Sequence, residues 1–456
     1  MVHSEKRVFI VYGMDAEGPL YESLQATFER IGERFGVWLE PEASLLKDLQ
    51  EGRFPPEVQE CVRGREVALQ SLISPDRLDF ANNWGELEIR SREFLSAAHR
   101  SSVPDSYGNG LVLSWFCVDR LGMDDNPRRR AIGYHHVVEF YQRLIRELPG
   151  SERDEIYWHY HPISFTRQAH MCANNFNFTN HHLQVLSHRV LDLGDFPVAF
   201  RAGCDVERPD INLFLEQWIP FDYGNVNGTE TEAEKGQVDI RGGRFGDWRR
   251  APMDWGTYHP SLLDYQIPGD LNRYIARCRY SEGRVNRITE EEVEQAFLQA
   301  STTGRALLSV MSHDHRRPQL ESTQFMNMVA VAAAAHPDVS FEYVNARAGI
   351  QKYESLDSGR NPVLDLRLED GTLWVQTDED MWGAQPFLCF RTHSNDYWHD
   401  NFDYHGDGLY SYTFDYLTVE LSALDRIGVA ANGKNGGTTV HRLSLQSSAV
   451  ITMEAL

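Results

Sequence analysis

Residues 8–19 read Val8-Phe-Ile-Val-Tyr12-Gly13-Met-Asp15-Ala-Glu17-Gly18-Pro19, an apolar run that stops at a glycine and then delivers two carboxylates. Five consecutive apolar residues without polar alternation read as a strand buried on both faces, as in a parallel sheet. Working outward, Leu20 to Phe35 has helical spacing, with Leu24, Phe28 and Ile31 on one face. Val58 to Ser71 and Trp84 to Ala98 also read as helices, Leu111 to Val118 as a second buried strand, and Ala131 to Leu148 as a helix with Gly150 as its stop. Glu155 to Tyr160, Pro197 to Arg201, Leu307 to Ser312 and Val339 to Val344 read as further strands, with helices over Glu290 to Ala300 and Phe325 to Ala335. Strands alternating with helices predict a mostly parallel sheet or barrel.

The pattern changes near Asp357-Ser-Gly-Arg-Asn-Pro362. Beyond it come short strands and turn signals: Val363 to Leu368, an Asp370-Gly turn, Thr372 to Gln376, Pro386 to Thr392, Tyr410 to Leu421 and Thr438 to Leu445. That spacing predicts a β-sandwich. Its aromatic run, from Trp382 to Tyr416, is read mainly as sandwich core. The polar stretch Tyr223 to Asp247 reads as a long loop.

The chain has 456 residues, with 44 Lys plus Arg against 67 Asp plus Glu, a formal net charge of −23. Hydrophobic residues at 41% and charged residues at 24% exclude a disordered chain. The acidic excess argues against nucleic acid or an anionic membrane surface as partner, since both need a basic face. No window reaches the length of a membrane span. The opening residues lack the apolar region and cleavage site of a secretory leader. The six cysteines (Cys61, Cys117, Cys172, Cys204, Cys278, Cys389) show no metal or disulfide spacing, so a cytoplasmic protein with reduced thiols is expected. The sequons at Asn177 and Asn227 then carry no glycan.

Four strand ends deliver ionisable groups. Asp15 and Glu17, two apart in an extended turn, point the same way; they are either a solvated acidic turn or a base and a metal ligand. His159 and His161 form an i, i+2 pair with spacing for one metal, the other reading being hydrogen-bonded structural histidines. Arg201, in Phe200-Arg-Ala-Gly-Cys204, is either an ordinary ion-pair partner or reaches across a barrel mouth to orient a carboxylate. His313, in Ser312-His-Asp-His-Arg316, is either an exposed loop residue or a general acid whose tautomer Asp314 or another carboxylate sets. The doublets His135-His136 and His181-His182 are read as surface or packing residues. The ordered set decides between these readings, because in a parallel barrel such strand ends meet on one face.

In that order the motifs resemble the polysaccharide deacetylase family, the NodB-homology carbohydrate esterases, over roughly residues 6 to 350. Asp15-Ala-Glu17 resembles its first motif, His161-Pro162 the end of its His-[Ser/Thr]-x-x-His-Pro motif, and Arg201-Ala-Gly203 its third. Position 157 is Tyr, so His159 stands in for the first histidine of the second motif. Asp222-Tyr-Gly224 and Trp255-Gly-Thr-Tyr258-His259-Pro-Ser261 are similar to a divergent branch found among cell-surface-glycan genes. The resemblance implies a distorted (β/α) barrel, over residues 1–355; the strand-and-turn pattern beyond it predicts a small all-β sandwich over 356–456. The resemblance also implies a divalent metal ion, Zn²⁺ by its donors, held by Glu17, His159 and His161. It further implies Asp15 as base, His313 as acid and Arg201 as the group that orients Asp15, in hydrolysis of an N-acetyl group. Trp248, Trp255 and Tyr258 are either core or platforms for sugar rings. The expected partners are a small-molecule or glycan substrate and, as an option, a second copy of the chain. A metal-free amide hydrolase and a non-catalytic glycan-binding protein stay open as alternatives.

Overall fold

The computed structural model describes residues 5–119, 133–161, 180–207, 209–229, 246–282, 286–445 and 451–455. Asn177, Cys172, Pro162 and most of the polar stretch after Tyr223 lie outside the described residues. Strand β1 (Arg7–Ala16) is buried at every residue but Arg7. It alternates between two cores. Val8, Ile10, Tyr12 and Met14 pack outward against helices, whereas Phe9 and Val11 point inward to meet Phe116, Tyr157, Tyr223, Cys278 and Met311 from other strands. This double burial is why the stretch carries no polar alternation.

The inward cluster fills a closed parallel barrel of seven strands. Around the ring, β1 is followed by β2 (Leu113–Val118), β3 (Glu155–Tyr160), β4 (Ala199–Ala202), β5 (Phe221–Asn225), β7 (Tyr274–Tyr280) and β8 (Arg305–His313), which pairs back onto β1. The short β6 (Thr257–Tyr258) lies antiparallel on β7. The ring is distorted at one seam. β1 pairs with β2 only over Tyr12–Ala16, and β9 (Ser340–Val344) takes the same side of Arg7–Val11. The helices pack on the outside, among them Trp84–Phe94, His136–Glu147, Glu290–Thr303 and Pro318–Ala335.

Several expectations need correction. The helix expected over Val58 to Ser71 is two, Pro56–Val62 and Glu66–Leu72, separated at Gly64, whose φ of 77° ends the first. The expected loop begins with strand β5, and β7 was not expected at all. The β7 run Tyr-Ile-Ala-Arg-Cys-Arg-Tyr carries two arginines, yet both are buried on backbone carbonyls and Glu292.

Beyond Glu354 the chain forms two antiparallel sheets. One has four strands, in the order β10 (Leu364–Glu369), β11 (Thr372–Thr377), β15 (Leu409–Thr413), β14 (Asp403–Gly406). The other has five, β13 (Tyr397–Asp400), β12 (Phe387–Thr392), β16 (Leu424–Asn432), β17 (Thr438–Leu445), β18 (Ile451–Ala455). Asp370 and Gly371 turn the first hairpin with φ of 49° and 77°. The expected strand Tyr410 to Leu421 stops at Thr413, and β16 supplies the pairing further along. The sheets face each other over Leu373, Val375, Leu388, Phe390, Tyr412 and Ile427. The five-stranded sheet also uses its second face. Phe387, Cys389, Ala430 and Val440 pack against Trp158, Phe200 and the helix His181–His188 of the barrel. Strand alternation lets β12 serve both cores. Trp398, Tyr404 and Tyr416 are exposed, so the aromatic run is mostly, though not wholly, core. No described helix is long and apolar enough to cross a membrane.

Leu186 is fully buried at this second face. Leu186→Ala is expected to lower unfolding free energy by about 2–5 kcal/mol, read as a lower denaturant midpoint.

Candidate metal centre

The C-terminal ends of the barrel strands gather the predicted residues. Asp15 is the penultimate residue of β1, with Glu17 just beyond it; His159 lies on β3, with His161 just beyond; Arg201 lies on β4 and His313 ends β8. Asp15 and His313 are register partners. All but His313 are buried.

Glu17, His159 and His161 converge. Glu17 Oε1 lies 2.9 Å from His161 Nε2 and 3.4 Å from His159 Nε2, and the two Nε2 atoms are 3.0 Å apart. Ligands about 2.0–2.1 Å from one ion stand about 3 Å apart along a coordination edge, so the three atoms fit one cation. The tautomer fits too. His159 Nδ1 donates to the Arg201 carbonyl at 3.0 Å, which leaves its Nε2 lone pair facing the other donors. Burial holds the His159 pKa down at about 4, against the pull of Asp15, so the ring is neutral near pH 7. Two imidazoles and a carboxylate form a donor set suited to Zn²⁺.

Arg201 organises the other half of the site. It is fully buried. Its Nε donates to Asp15 Oδ2 at 3.0 Å, one terminal nitrogen to the Tyr223 carbonyl at 2.7 Å and the other to Asp205 Oδ1 at 2.6 Å. The Tyr280 hydroxyl donates to the second Asp205 oxygen at 2.7 Å, and Trp248 Nε1 donates to the Asp205 carbonyl at 2.8 Å. Burial pushes the Asp205 carboxyl up to about 6, with Arg201 opposing. Asp15 Oδ1 is buried without a hydrogen bond among the described residues, 3.7 Å from His159 Nδ1. The His313 ring lies nearly parallel to Tyr280, at a centroid distance of 6.1 Å.

The Asp314 carboxylate accepts from the Glu17 and Gly18 amides at 3.0 and 2.9 Å and from the Tyr141 hydroxyl at 2.9 Å, so it fixes the loop that carries Glu17. Of the two readings open for Trp248, Trp255 and Tyr258, their burial favours core over sugar platforms. Each is buried, and each polar handle meets a backbone carbonyl: Trp248 at Asp205, Trp255 at Glu292, Tyr258 at Tyr265. Arg277 also covers one face of Trp255 at 4.2 Å. Asp205 and Tyr280 were missed as parts of the site. The only sequence signal was an Asp four residues after Arg201.

No family model matches this chain, and no curated protein matches it.

Two outcomes follow from the geometry. A Cβ at Gly203 would intrude on the His161 ring. Gly203→Ala is therefore expected to weaken divalent-cation binding at these donors by about 10–100-fold with every donor intact, read by isothermal titration. The His159 ring titrates at about 4 when folded against 6.5 as an isolated group. Above pH 6.5 neither state takes the proton; between 6.5 and 4 only the unfolded chain does, so stability is lost as pH falls through that window. His159→Gln is expected to reduce that loss, read from denaturant midpoints of the metal-free protein at about pH 7 and about pH 4.5.

Proposed function

We propose that this protein is a metal-dependent hydrolase that removes an N-acetyl group from an amino sugar or a related glycan-derived amide, on a barrel of the polysaccharide-deacetylase type. One observation carries the reading: Glu17, His159 and His161 present three donor atoms within 3.4 Å of one another, beside an Asp15 gripped by Arg201. Glu17, His159 and His161 would hold the divalent ion. When bound, the ion supplies Lewis acidity that polarises an amide carbonyl and makes water more acidic.

The chain's own groups do the rest. Arg201 fixes the Asp15 carboxylate through Oδ2 and leaves Oδ1 to accept the proton of the attacking water. The water oxygen adds to the carbonyl carbon, the C–N bond breaks, and the nitrogen takes a proton as it leaves, giving acetate and a free amine. His313, on the strand beside Asp15, is the donor of that proton. A cytoplasmic setting belongs to the same reading and rests on cysteines without disulfide spacing; a small-molecule or glycan partner rather than nucleic acid rests on the net charge of −23.

The test is acetate release from N-acetylated amino sugars by zinc-loaded protein. Chelation is expected to abolish release and zinc to restore it. Asp15→Asn is expected to cost about 10²–10⁴-fold in kcat while retaining the fold and the ion. Acetate release undiminished in excess chelator, or by Asp15→Asn, would overturn the reading.

A further inference from the structure

A second set of metal-ligating side chains lies outside the barrel, where two of its helices meet the five-stranded sheet. His135 caps the helix His136–Glu147, with φ of 65°. His188 ends the helix His181–His188, and Asp192 follows one turn later in the π-helical turn Arg189–Leu193. Such turns recur at functional positions. His135 Nε2 stands 3.1 Å and His188 Nδ1 3.0 Å from the same oxygen, Asp192 Oδ2. One ligand atom from each of the three residues lies within 4.8 Å of the others.

The surroundings resemble the outer shell of a metal centre. Ligating groups are normally held from behind by carboxylates, carbonyls or hydroxyls, which set their orientation. Here the other nitrogen of His135 faces the buried Asp119 carboxylate at 3.8 Å. Arg189 anchors that carboxylate at 2.8 Å. The Tyr397 hydroxyl donates to both Asp192 oxygens, at 2.8 and 2.9 Å, and Arg391 lies 3.5 Å from Oδ1. The His188 ring is stacked between Tyr134, at 3.9 Å, and Tyr397, at 3.5 Å. The side chains of His135, His188 and Asp192 keep 12%, 16% and 21% of their exposure, which leaves an ion a way in and water room to complete its coordination. His136 and His182, by contrast, pack on Trp84 and Phe214, as their doublets suggested.

We propose that His135, His188 and Asp192 form a second divalent-metal site, for an ion of the Zn²⁺ class. It goes beyond the barrel-mouth reading and does not depend on it. Two imidazoles and one carboxylate suit that class of ion. The ion would tie the helix His136–Glu147 to the turn Arg189–Leu193, whose Asp192 is held from the sheet by Tyr397 and Arg391.

The experiment counts zinc per chain after chelator stripping, reloading with Zn²⁺ and desalting. It is done on the full chain carrying Glu17→Ala and His161→Ala, which empties the barrel mouth. That protein is expected to retain one zinc per chain and to melt at a higher temperature with zinc than without. Adding Asp192→Asn, which keeps the side-chain shape, is expected to remove the zinc and the thermal shift; His135→Gln is expected to do the same, and decides the matter should the first variant not fold. The proposal is overturned if the mouth-emptied protein retains no zinc, or if its zinc survives both substitutions. A wild-type protein with no deacetylase activity but with this second zinc would separate the two readings.

Discussion

A fully buried guanidinium has to find carboxylates and carbonyls, because a lone charge inside a protein costs several kcal/mol. Arg201 meets that demand with three acceptors from three places: Asp15 at the end of β1, the Tyr223 carbonyl on β5 and Asp205 past β4. Its planar fork dictates where each must stand. The position of Asp15 at the mouth is thus set from across the ring rather than by its own strand alone. Asp205 is set in turn by Tyr280 of β7 and by Trp248.

The carboxylate of Asp314 plays the corresponding part for the metal-ligating half. By accepting from the amides of Glu17 and Gly18 it shapes the turn that aims Glu17 at the two histidines. Three of the mouth's acids and bases therefore have a structural holder: Arg201 for Asp15, Asp314 for the Glu17 loop, the Arg201 carbonyl for His159. Ligand sets supported in this way keep their geometry because the supporting groups are themselves buried and paired.

Much of this was legible in the residues. The apolar run before Asp15 announced a doubly buried strand, and the i, i+2 spacing of His159 and His161 placed both on one side. Other parts were hidden for physical reasons. Strand β7 carries Arg277 and Arg279, and no local pattern reveals that carbonyls of Asn227, Met253 and Val226 absorb their charge. Strand β5 reads Phe-Asp-Tyr-Gly-Asn, too polar for a buried strand until the partners of Asp222 and Asn225 are known. The aromatics near the mouth looked available for stacking because a sequence does not show that Trp248, Trp255 and Tyr258 spend their polar ends on backbone. His135, His188 and Asp192 were unreadable as a set, since two of them sit more than fifty positions from the third.

The five-stranded sheet has no dry face to spare: Leu388 and Phe390 look towards its companion sheet, Phe387 and Cys389 towards the barrel helices. A change in sequence character near residue 357 therefore marks a change of architecture without marking a seam that can be opened. A chain severed there would bare greasy surface on both pieces, and the pieces would gain more by staying together than by parting. Evolution could reshape the outward four-stranded sheet with little consequence for the barrel, whereas the inward one is bound to change in step with Trp158, Phe200 and Leu186.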